Sequence, residues 1–117
     1  MEKVFIIGAR RSAIGSFLGS LSGTGAADMG AEVVKAVLED AKVKPEEVDE
    51  LILGNILSAG LGQGIARQIA IKAGIPVEVC AYSLNMLCGS GMKAVISGLS
   101  SIRSGDAEIN LTGGVES

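Results

Sequence analysis

The sequence contains no histidine and no tryptophan, and its 117 residues include only three aromatic side chains and two cysteines. Without histidine, the chain lacks both a common metal ligand and the residue that most often activates a nucleophilic serine. The two cysteines, Cys80 and Cys88, do not have the spacing of a metal site, so no metal-binding residue is predicted. We expect both to be reduced thiols.

The chain also lacks basic clusters and long apolar runs. Its net charge is −3 and Arg10-Arg11 is the only basic cluster, which disfavours nucleic-acid binding. No apolar run approaches the length that spans a membrane, and residues 4–7 are too few for the apolar part of a signal peptide. Together with reduced thiols, these features predict a cytoplasmic protein that binds neither nucleic acid nor membrane.

Glycine and apolar side chains are abundant by contrast. The chain has 17 glycines and is 48% hydrophobic, whereas only 20% of its residues are charged. This is more apolar material than the core of one modest domain needs. We therefore expect a single domain over residues 1–117, with close backbone packing and a surface that another domain or subunit normally covers.

Short apolar runs alternate with helical patterns along the chain. Strands are predicted over residues 4–9, 51–57, 79–84 and 108–112, and helices over residues 28–43, 65–73 and 88–104. In the first helix the expected buried stripe is Met29, Val33, Ala36, Val37 and Ala41. The order βαβαβαβ predicts an α/β fold with a mostly parallel sheet.

Cys88 lies where the third strand gives way to the third helix, just ahead of Gly89-Ser90-Gly91. The N–H groups and dipole of a helix N-terminus favour a thiolate, and the same N–H groups can donate to an oxyanion. The position therefore predicts a nucleophilic Cys88 that transfers acyl groups through a thioester. Two alternatives stay open. A free cysteine is often a small core residue. The Ser90 hydroxyl is a second candidate nucleophile, although it lacks both the G-x-S-x-G spacing and a histidine.

A glycine-rich turn at residues 60–64 joins the second strand to the second helix. Such a turn can cradle a phosphate. Its spacing is not G-x-G-x-x-G and no P-loop lysine follows, so no nucleotide- or cofactor-binding residue is predicted here.

Four segments resemble thiolases in the order in which they occur along the chain. They are RSAIG at residues 11–15, GQGIARQ at 62–68, LNMLCGSGMKAV at 84–95 and GGVES at 113–117. Gly89 after the cysteine is closer to the biosynthetic, short-chain branch of the family than to the degradative branch. Met92 and Cys80 depart conservatively from the residues usual at those positions.

The resemblance implies a thiolase-like N-terminal half-domain in which Cys88 carries an acetyl group and its backbone N–H forms part of an oxyanion hole. The implied reaction condenses two acetyl-CoA molecules to acetoacetyl-CoA, or reverses that step by thiolysis. A coenzyme A thioester would be the substrate and no cofactor would stay bound. The resemblance also implies a homo-oligomer, a dimer or tetramer, and packing against a C-terminal portion.

Thiolases are much longer than this chain, which resembles only their first third. The family's catalytic histidines lie in the later portion, and neither Asp28 nor Glu116 has a spacing that ties it to Cys88 as a general base. We therefore expect the chain to be incomplete, to supply the nucleophile half and to be inactive by itself. The alternatives are a β-ketoacyl synthase-like enzyme, which the motif at residues 85–92 fits less well, and a non-catalytic fragment of the thiolase fold.

Overall fold

The computed structural model describes residues 1–117 and has the α/β class that the sequence predicts. Its elements are α1 (Ala26–Ala41), a 3-10 helix (Pro45–Glu47), β1 (Glu50–Gly54), α2 (Ile65–Lys72), β2 (Cys80–Leu84), α3 (Ser90–Ser104) and β3 (Asn110–Gly114). The sheet has the order β2-β1-β3, and both pairings are parallel. None of the helices combines the length and apolar character that crossing a bilayer requires.

Residues 4–9 form no strand, so the first of the four predicted strands is wrong for this chain. The segment pairs with none of the three strands, and a strand without a hydrogen-bonding partner is not formed. Phe5 and Ile6 are 75% and 83% exposed. The segment instead lies along α1, where Gly8 approaches Val37 and the Arg10 guanidinium binds the Asp40 carboxylate.

The buried side of α1 differs from the predicted stripe. Ala31, Val34 and Leu38 are buried, whereas the five residues of the predicted stripe are only partly so. A Cβ at Gly8 would stand 3.0 Å from Val37 Cγ2, so the N-terminal segment covers part of the predicted stripe. Because α1 is apolar on two sides, its hydrophobic pattern does not decide which side meets the sheet.

Alternate residues of β1 point to opposite faces of the sheet. Leu51 and Leu53 belong to a cluster of 14 buried residues that α1 and α2 complete; we call this side the α1/α2 face. Ile52 is fully buried but lies outside that cluster, beneath α3, on what we call the α3 face. At about 25 cal/mol per Å² of apolar surface removed from water, the α1/α2 face supplies most of the hydrophobic stabilisation.

On the α3 face, the helix approaches the sheet through small residues. Only Ser90, Ala94 and Gly98 of α3 are buried. A Cβ at Gly98 would lie 2.6 Å from Thr112 Cγ2, so a larger residue there would push the helix away. The small residues thus bring α3 close to the sheet, whereas its other side is open, with Met92 73% exposed.

Two carboxylates decide where the strands begin and end. The Asp49 carboxylate accepts the N–H groups of Glu108 and Ile109 at 2.7 and 3.0 Å, and the ladder of β3 starts only at Asn110. At the other end of the sheet, the Glu116 carboxylate accepts the N–H of Ile56, so β1 stops at Gly54 instead of continuing to residue 57. Side-chain acceptors for backbone donors leave no periodic signal in the sequence.

The strand β2 lies at an edge of the sheet and is largely exposed. Cys80, Tyr82 and Ser83 are exposed, and only β1 hydrogen-bonds to β2. Its apolar character therefore does not come from burial between two neighbouring strands within this chain.

Candidate active site

Cys88 lies on the short connection from β2 to α3, at the carboxyl end of the sheet. The strand ends at Leu84, the helix begins at Ser90, and Gly89 is the N-cap residue. The Cys88 thiol is free and exposed. The structure thus places this residue at the strand-to-helix junction that the sequence predicts, in neither a strand nor the body of a helix.

The connection holds a strained residue directly before Cys88. Leu87 has a φ of 50°, a left-handed conformation that costs a non-glycine residue about 1 to 2 kcal/mol. Hydrogen bonds compensate for it: the Asn85 Oδ1 accepts the Leu87 N–H at 2.9 Å, and the Gly89 N–H donates to the Met86 carbonyl at 3.1 Å. Backbone strain of this kind clusters at functional sites.

Ser90 stabilises the same connection and is not available as a nucleophile. Only 5% of the Ser90 surface is exposed. Its Oγ accepts the Met86 N–H at 2.8 Å and donates to the Leu87 carbonyl at 2.6 Å. The hydroxyl is buried and its proton is engaged, so the alternative of a Ser90 nucleophile is set aside.

Several backbone N–H groups around Cys88 have no acceptor within the chain. The N–H groups of Gly89 and Ser90 bond to carbonyls of the connection, whereas those of Cys88, Gly91 and Met92 donate to no protein atom. Unpaired N–H groups at a helix N-terminus bind anions and can stabilise an oxyanion. Three unpaired N–H groups thus belong to Cys88 itself and to the first turn of the helix that follows it.

Glycines at the ends of two strands allow the start of α3 to rest on the sheet. A Cβ at Gly54 would stand 2.6 Å from the Ser90 carbonyl carbon and 2.7 Å from the Gly91 nitrogen. A Cβ at Gly114 would approach the Gly91 Cα to 3.5 Å. The end of β1 thus sets the distance between the sheet and the start of α3, next to Cys88. A glycine at a strand end is only a weak sign of this role in the sequence.

A cleft of about 320 Å³ opens beside the connection, lined among others by Asn55, Gly62, Ser83 and Asn85. It lies at the carboxyl ends of β1 and β2, where parallel sheets commonly bind ligands. A larger cavity of about 420 Å³ lies between the end of α1 and Pro45, at the opposite end of the sheet. Cys88 lines neither of them, and the smaller cleft reaches the connection at Asn85.

The glycine-rich turn of residues 60–64 forms one wall of this cleft. Gly62 and Gly64 have φ values of 83° and 54°, which favour glycine. The Gln68 side chain donates to the carbonyls of Leu61 and Gln63 at 2.7 and 3.1 Å. The turn is therefore held by the Gln68 side chain of α2.

The two carboxylates considered as general bases have other roles. Glu116 binds Asn55 Nδ2 at 2.9 Å and the N–H groups that follow β1, while Asp28 pairs with Lys72 at 2.7 Å. Neither contacts Cys88. Asn55 is one of two buried polar residues of the chain, and sequence reasoning missed it because it directly follows an apolar run. The chain also holds no group of three or more residues that could bind a metal ion.

The comparisons with known proteins agree with this geometry. The family described as "Thiolase, N-terminal domain" matches residues 4–117. An acetyl-CoA acetyltransferase of Cupriavidus necator is 53% identical over 116 residues, which are 99% of this chain and 30% of the relative. One from Escherichia coli is 47% identical, again over 116 residues, 99% of this chain and 29% of the relative.

A solved structure gives the same result. The crystal structure of Acat5 thiolase from Ascaris suum in complex with coenzyme A has a TM-score of 0.95 and 40% identity, over 97% of this chain and 30% of that one. The chain spans about 30% of the length of the relatives that it matches. On its sequence and on its fold, the chain belongs to the thiolase family.

Proposed function

We propose that this chain supplies the nucleophile of an acyl-CoA acyltransferase that joins two acetyl-CoA molecules into acetoacetyl-CoA, or cleaves acetoacetyl-CoA in reverse. The relatives named acetyl-CoA acetyltransferase and the coenzyme A complex of a similar structure support this substrate class. Coenzyme A thioesters enter as substrates and no permanently bound cofactor is proposed.

One observation carries the proposal: an exposed cysteine stands at the N-terminus of a helix with unpaired N–H groups beside it. The thiol of Cys88 is accessible, and the N–H groups of Cys88, Gly91 and Met92 have no acceptor in the chain. A nucleophile and oxyanion donors, here on the connection and on the first turn of α3, are the two parts that acyl transfer to a thiol requires.

In the first half-reaction, the Cys88 thiolate attacks the carbonyl carbon of acetyl-CoA. A bond forms between the Cys88 sulfur and that carbon, and the oxygen carries negative charge while N–H groups donate to it. The bond from the carbon to the coenzyme A sulfur then breaks. Coenzyme A leaves as a thiolate that takes up a proton, and Cys88 holds the acetyl group as a thioester.

In the second half-reaction, a second acetyl-CoA loses a proton from its methyl group and attacks the acetyl-cysteine carbonyl. A carbon–carbon bond forms, the bond to the Cys88 sulfur breaks, and the thiolate is regenerated. The proton needs a general base within hydrogen-bonding reach. No carboxylate of this chain contacts Cys88, so we propose that the base comes from a portion that the relatives have and this chain does not span.

The test compares the two exposed thiols. The chain, incubated with acetyl-CoA and digested, is expected to carry one acetyl group on the Cys88 peptide by mass spectrometry. Cys88→Ala should lose the label, and Cys80→Ala, the matched control on the edge strand, should keep it. An acetyl group on Cys80, or equal labelling in Cys88→Ala, contradicts the proposal.

The same chain is expected to show no sustained cleavage of acetoacetyl-CoA, because the second half-reaction lacks its base. Sustained cleavage that survives Cys88→Ala would place the activity elsewhere. Labelling by acetyl-CoA also separates this proposal from a fragment with no chemistry, which would not be labelled. The family match favours a thiolase over a β-ketoacyl synthase.

The homo-oligomer and the cytoplasmic location stay predictions. Apolar side chains such as Phe17 and Leu87 are 94% and 67% exposed in the single chain. Their exposure supports the prediction that another subunit or domain covers part of this surface. Sedimentation of the purified protein would measure its oligomeric state, and fractionation of the source cells would measure its location.

A further inference from the structure

We propose that the Ser90 hydroxyl, assisted by the Asn85 carboxamide, is a positioning group for Cys88: it holds the connection so that the Cys88 N–H stays free to donate to the oxyanion. This inference rests on the proposed acyl transfer through Cys88. Neither side chain needs to touch the substrate, since both act through the backbone of Met86 and Leu87.

The contacts of Ser90 close the connection from both sides. Its Oγ accepts the Met86 N–H at 2.8 Å and donates to the Leu87 carbonyl at 2.6 Å, and its own N–H donates to that carbonyl at 3.0 Å. The Leu87 carbonyl thus accepts two bonds from one residue. Because Ser90 is buried against Gly54, these bonds tie the connection to the end of β1.

The conformation that these bonds maintain is unfavourable by itself. An exposed leucine gains nothing from a φ of 50°, which costs about 1 to 2 kcal/mol. The Asn85 Oδ1 adds a third bond by accepting the Leu87 N–H at 2.9 Å. If Leu87 relaxed to an ordinary negative φ, the peptide group between Leu87 and Cys88 would turn, and the Cys88 N–H would point elsewhere.

That N–H is the group whose direction matters. It donates to no acceptor within the chain, and it belongs to the nucleophile itself. Acylation depends on such a donor because charge develops on the carbonyl oxygen. Alkylation of the thiol by iodoacetamide is a displacement at a saturated carbon and forms no oxyanion, so it depends on that N–H only through the stability of the thiolate.

The experiment therefore measures two rates on each variant. In Ser90→Ala, acetylation of Cys88 by acetyl-CoA is expected to fall by about tenfold to a hundredfold, the cost of a displaced donor. Alkylation of Cys88 by iodoacetamide is expected to stay within about threefold, since the thiol remains exposed. Ser100→Ala is the matched control: its hydroxyl donates to Ile96 at 3.0 Å on the same helix, away from Cys88, and both rates should be unchanged.

A second variant, Asn85→Ala, keeps the inference testable if Ser90→Ala does not fold, and a third applies where Ser90→Ala folds. Asn85→Ala removes one bond from an exposed residue, so it leaves the core intact, and it should slow acetylation several-fold without slowing alkylation. Leu87→Gly, placed in the Ser90→Ala background, should restore part of the acetylation rate because glycine adopts positive φ without strain.

The outcomes are distinguishable. Wild-type protein that is alkylated but never acetylated at Cys88 overturns the proposed function itself. Wild-type acetylation that Ser90→Ala and Asn85→Ala leave unchanged overturns only the positioning role. A parallel loss of both rates in a folded Ser90→Ala variant also overturns it, because that result indicates a loss of local structure rather than a misdirected donor.

Discussion

The two faces of the sheet are built in different ways. On the α1/α2 face, branched side chains from two helices and from β1 form a cluster in which Leu51 and Ile69 are fully buried. On the α3 face, the helix touches the sheet through Ser90, Ala94 and Gly98, and its outer side exposes Met92 and Ile96. The first face stabilises the fold, and the second brings a helix N-terminus close to the ends of the strands.

The α3 face also buries two polar oxygens that have no hydrogen-bond partner. Glu50 Oε2 and Asn110 Oδ1 are inaccessible and have no hydrogen-bond partner. These two residues are directly paired between β1 and β3. Unsatisfied buried oxygens lower the stability of the fold. The α3 face is therefore not packed for maximal stability.

The largest contrast should come from truncating one apolar residue on each side. Leu51→Ala, in the core of the α1/α2 face, is expected to lower the free energy of unfolding by about 3 to 5 kcal/mol because it leaves a cavity. Met92→Ala, on the outer side of α3, should change it by less than about 0.5 kcal/mol. Urea denaturation measures both, and equal losses would contradict the assigned difference between the faces.

A methyl group added to a glycine should also separate the two sides. Gly54→Ala is expected to cost about 3 kcal/mol, since its Cβ would meet the backbone of Ser90 and Gly91 at 2.6 to 2.7 Å. Gly30→Ala on α1 meets side-chain atoms of the buried Ile69 rather than backbone, with Cγ1 at 2.9 Å and Cδ1 closer. There the strain is offset by about 1 kcal/mol of helix propensity. Thermal unfolding ranks the two, and a milder effect at Gly54 would show that α3 does not rest on this residue.

The third test concerns the Asp49 carboxylate, which joins the starts of β1 and β3. The N–H groups of Ile109 and Glu108 lower the pKa of Asp49 below its ordinary value of 3.8. Asp49→Ala should therefore cost about 1 kcal/mol at neutral pH. The charged form is favoured in the folded chain, so this contribution exists above the ordinary pKa and is lost as the pH falls through the lowered one.

Denaturation at several pH values measures this effect. The difference between Asp49→Ala and the wild type should shrink in acid, whereas Glu108→Ala, whose side chain makes no hydrogen bond in the structure, should show no such dependence. A difference that is constant with pH would mean that the carboxylate charge does not contribute.

The smallest expected effect is at Tyr82 on the α3 face. Tyr82 is 42% exposed, and the desolvation of its covered part raises its pKa above the ordinary value of 10.0, with the charge of Glu50 adding to the rise. Because the folded chain holds the phenol proton more tightly, stability should decline as the pH rises above 10.0. Tyr82 is the only tyrosine and the chain has no tryptophan, so ultraviolet absorbance follows it alone.

Glu50→Gln should move the Tyr82 pKa part of the way back toward its ordinary value, since burial is the larger cause. Glu32→Gln, on the helix that covers the other face, is the control and should leave the titration unchanged. If Glu50→Gln leaves the Tyr82 pKa unchanged, the charge of Glu50 does not contribute to that pKa, and the prediction is contradicted.

Much of this arrangement follows from local sequence patterns. The alternation of apolar runs and helical stretches determined three strands, three helices and their parallel pairing, because each run must bury one face. The switch from strand to helix around Cys88 placed the thiol, since the period changes within a few residues of it.

Other features were decided only by residues that meet in space. Residues 4–9 have the apolar character of a strand but no partner in this chain, and hydrogen bonding, unlike hydrophobicity, needs a partner. The buried side of α1 was set by the segment around Gly8, and the strand limits by Asp49 and Glu116. The left-handed Leu87 depends on the Ser90 hydroxyl, a contact that no propensity reports.

The sequence by itself thus determined the class of the fold, the family resemblance and the place of Cys88, because these depend on residue order and short-range periodicity. The tertiary structure decided which faces are covered, how close α3 comes to Gly54 and which N–H groups near the thiol stay unpaired. Those properties depend on distances between residues far apart in the chain, which local patterns do not encode.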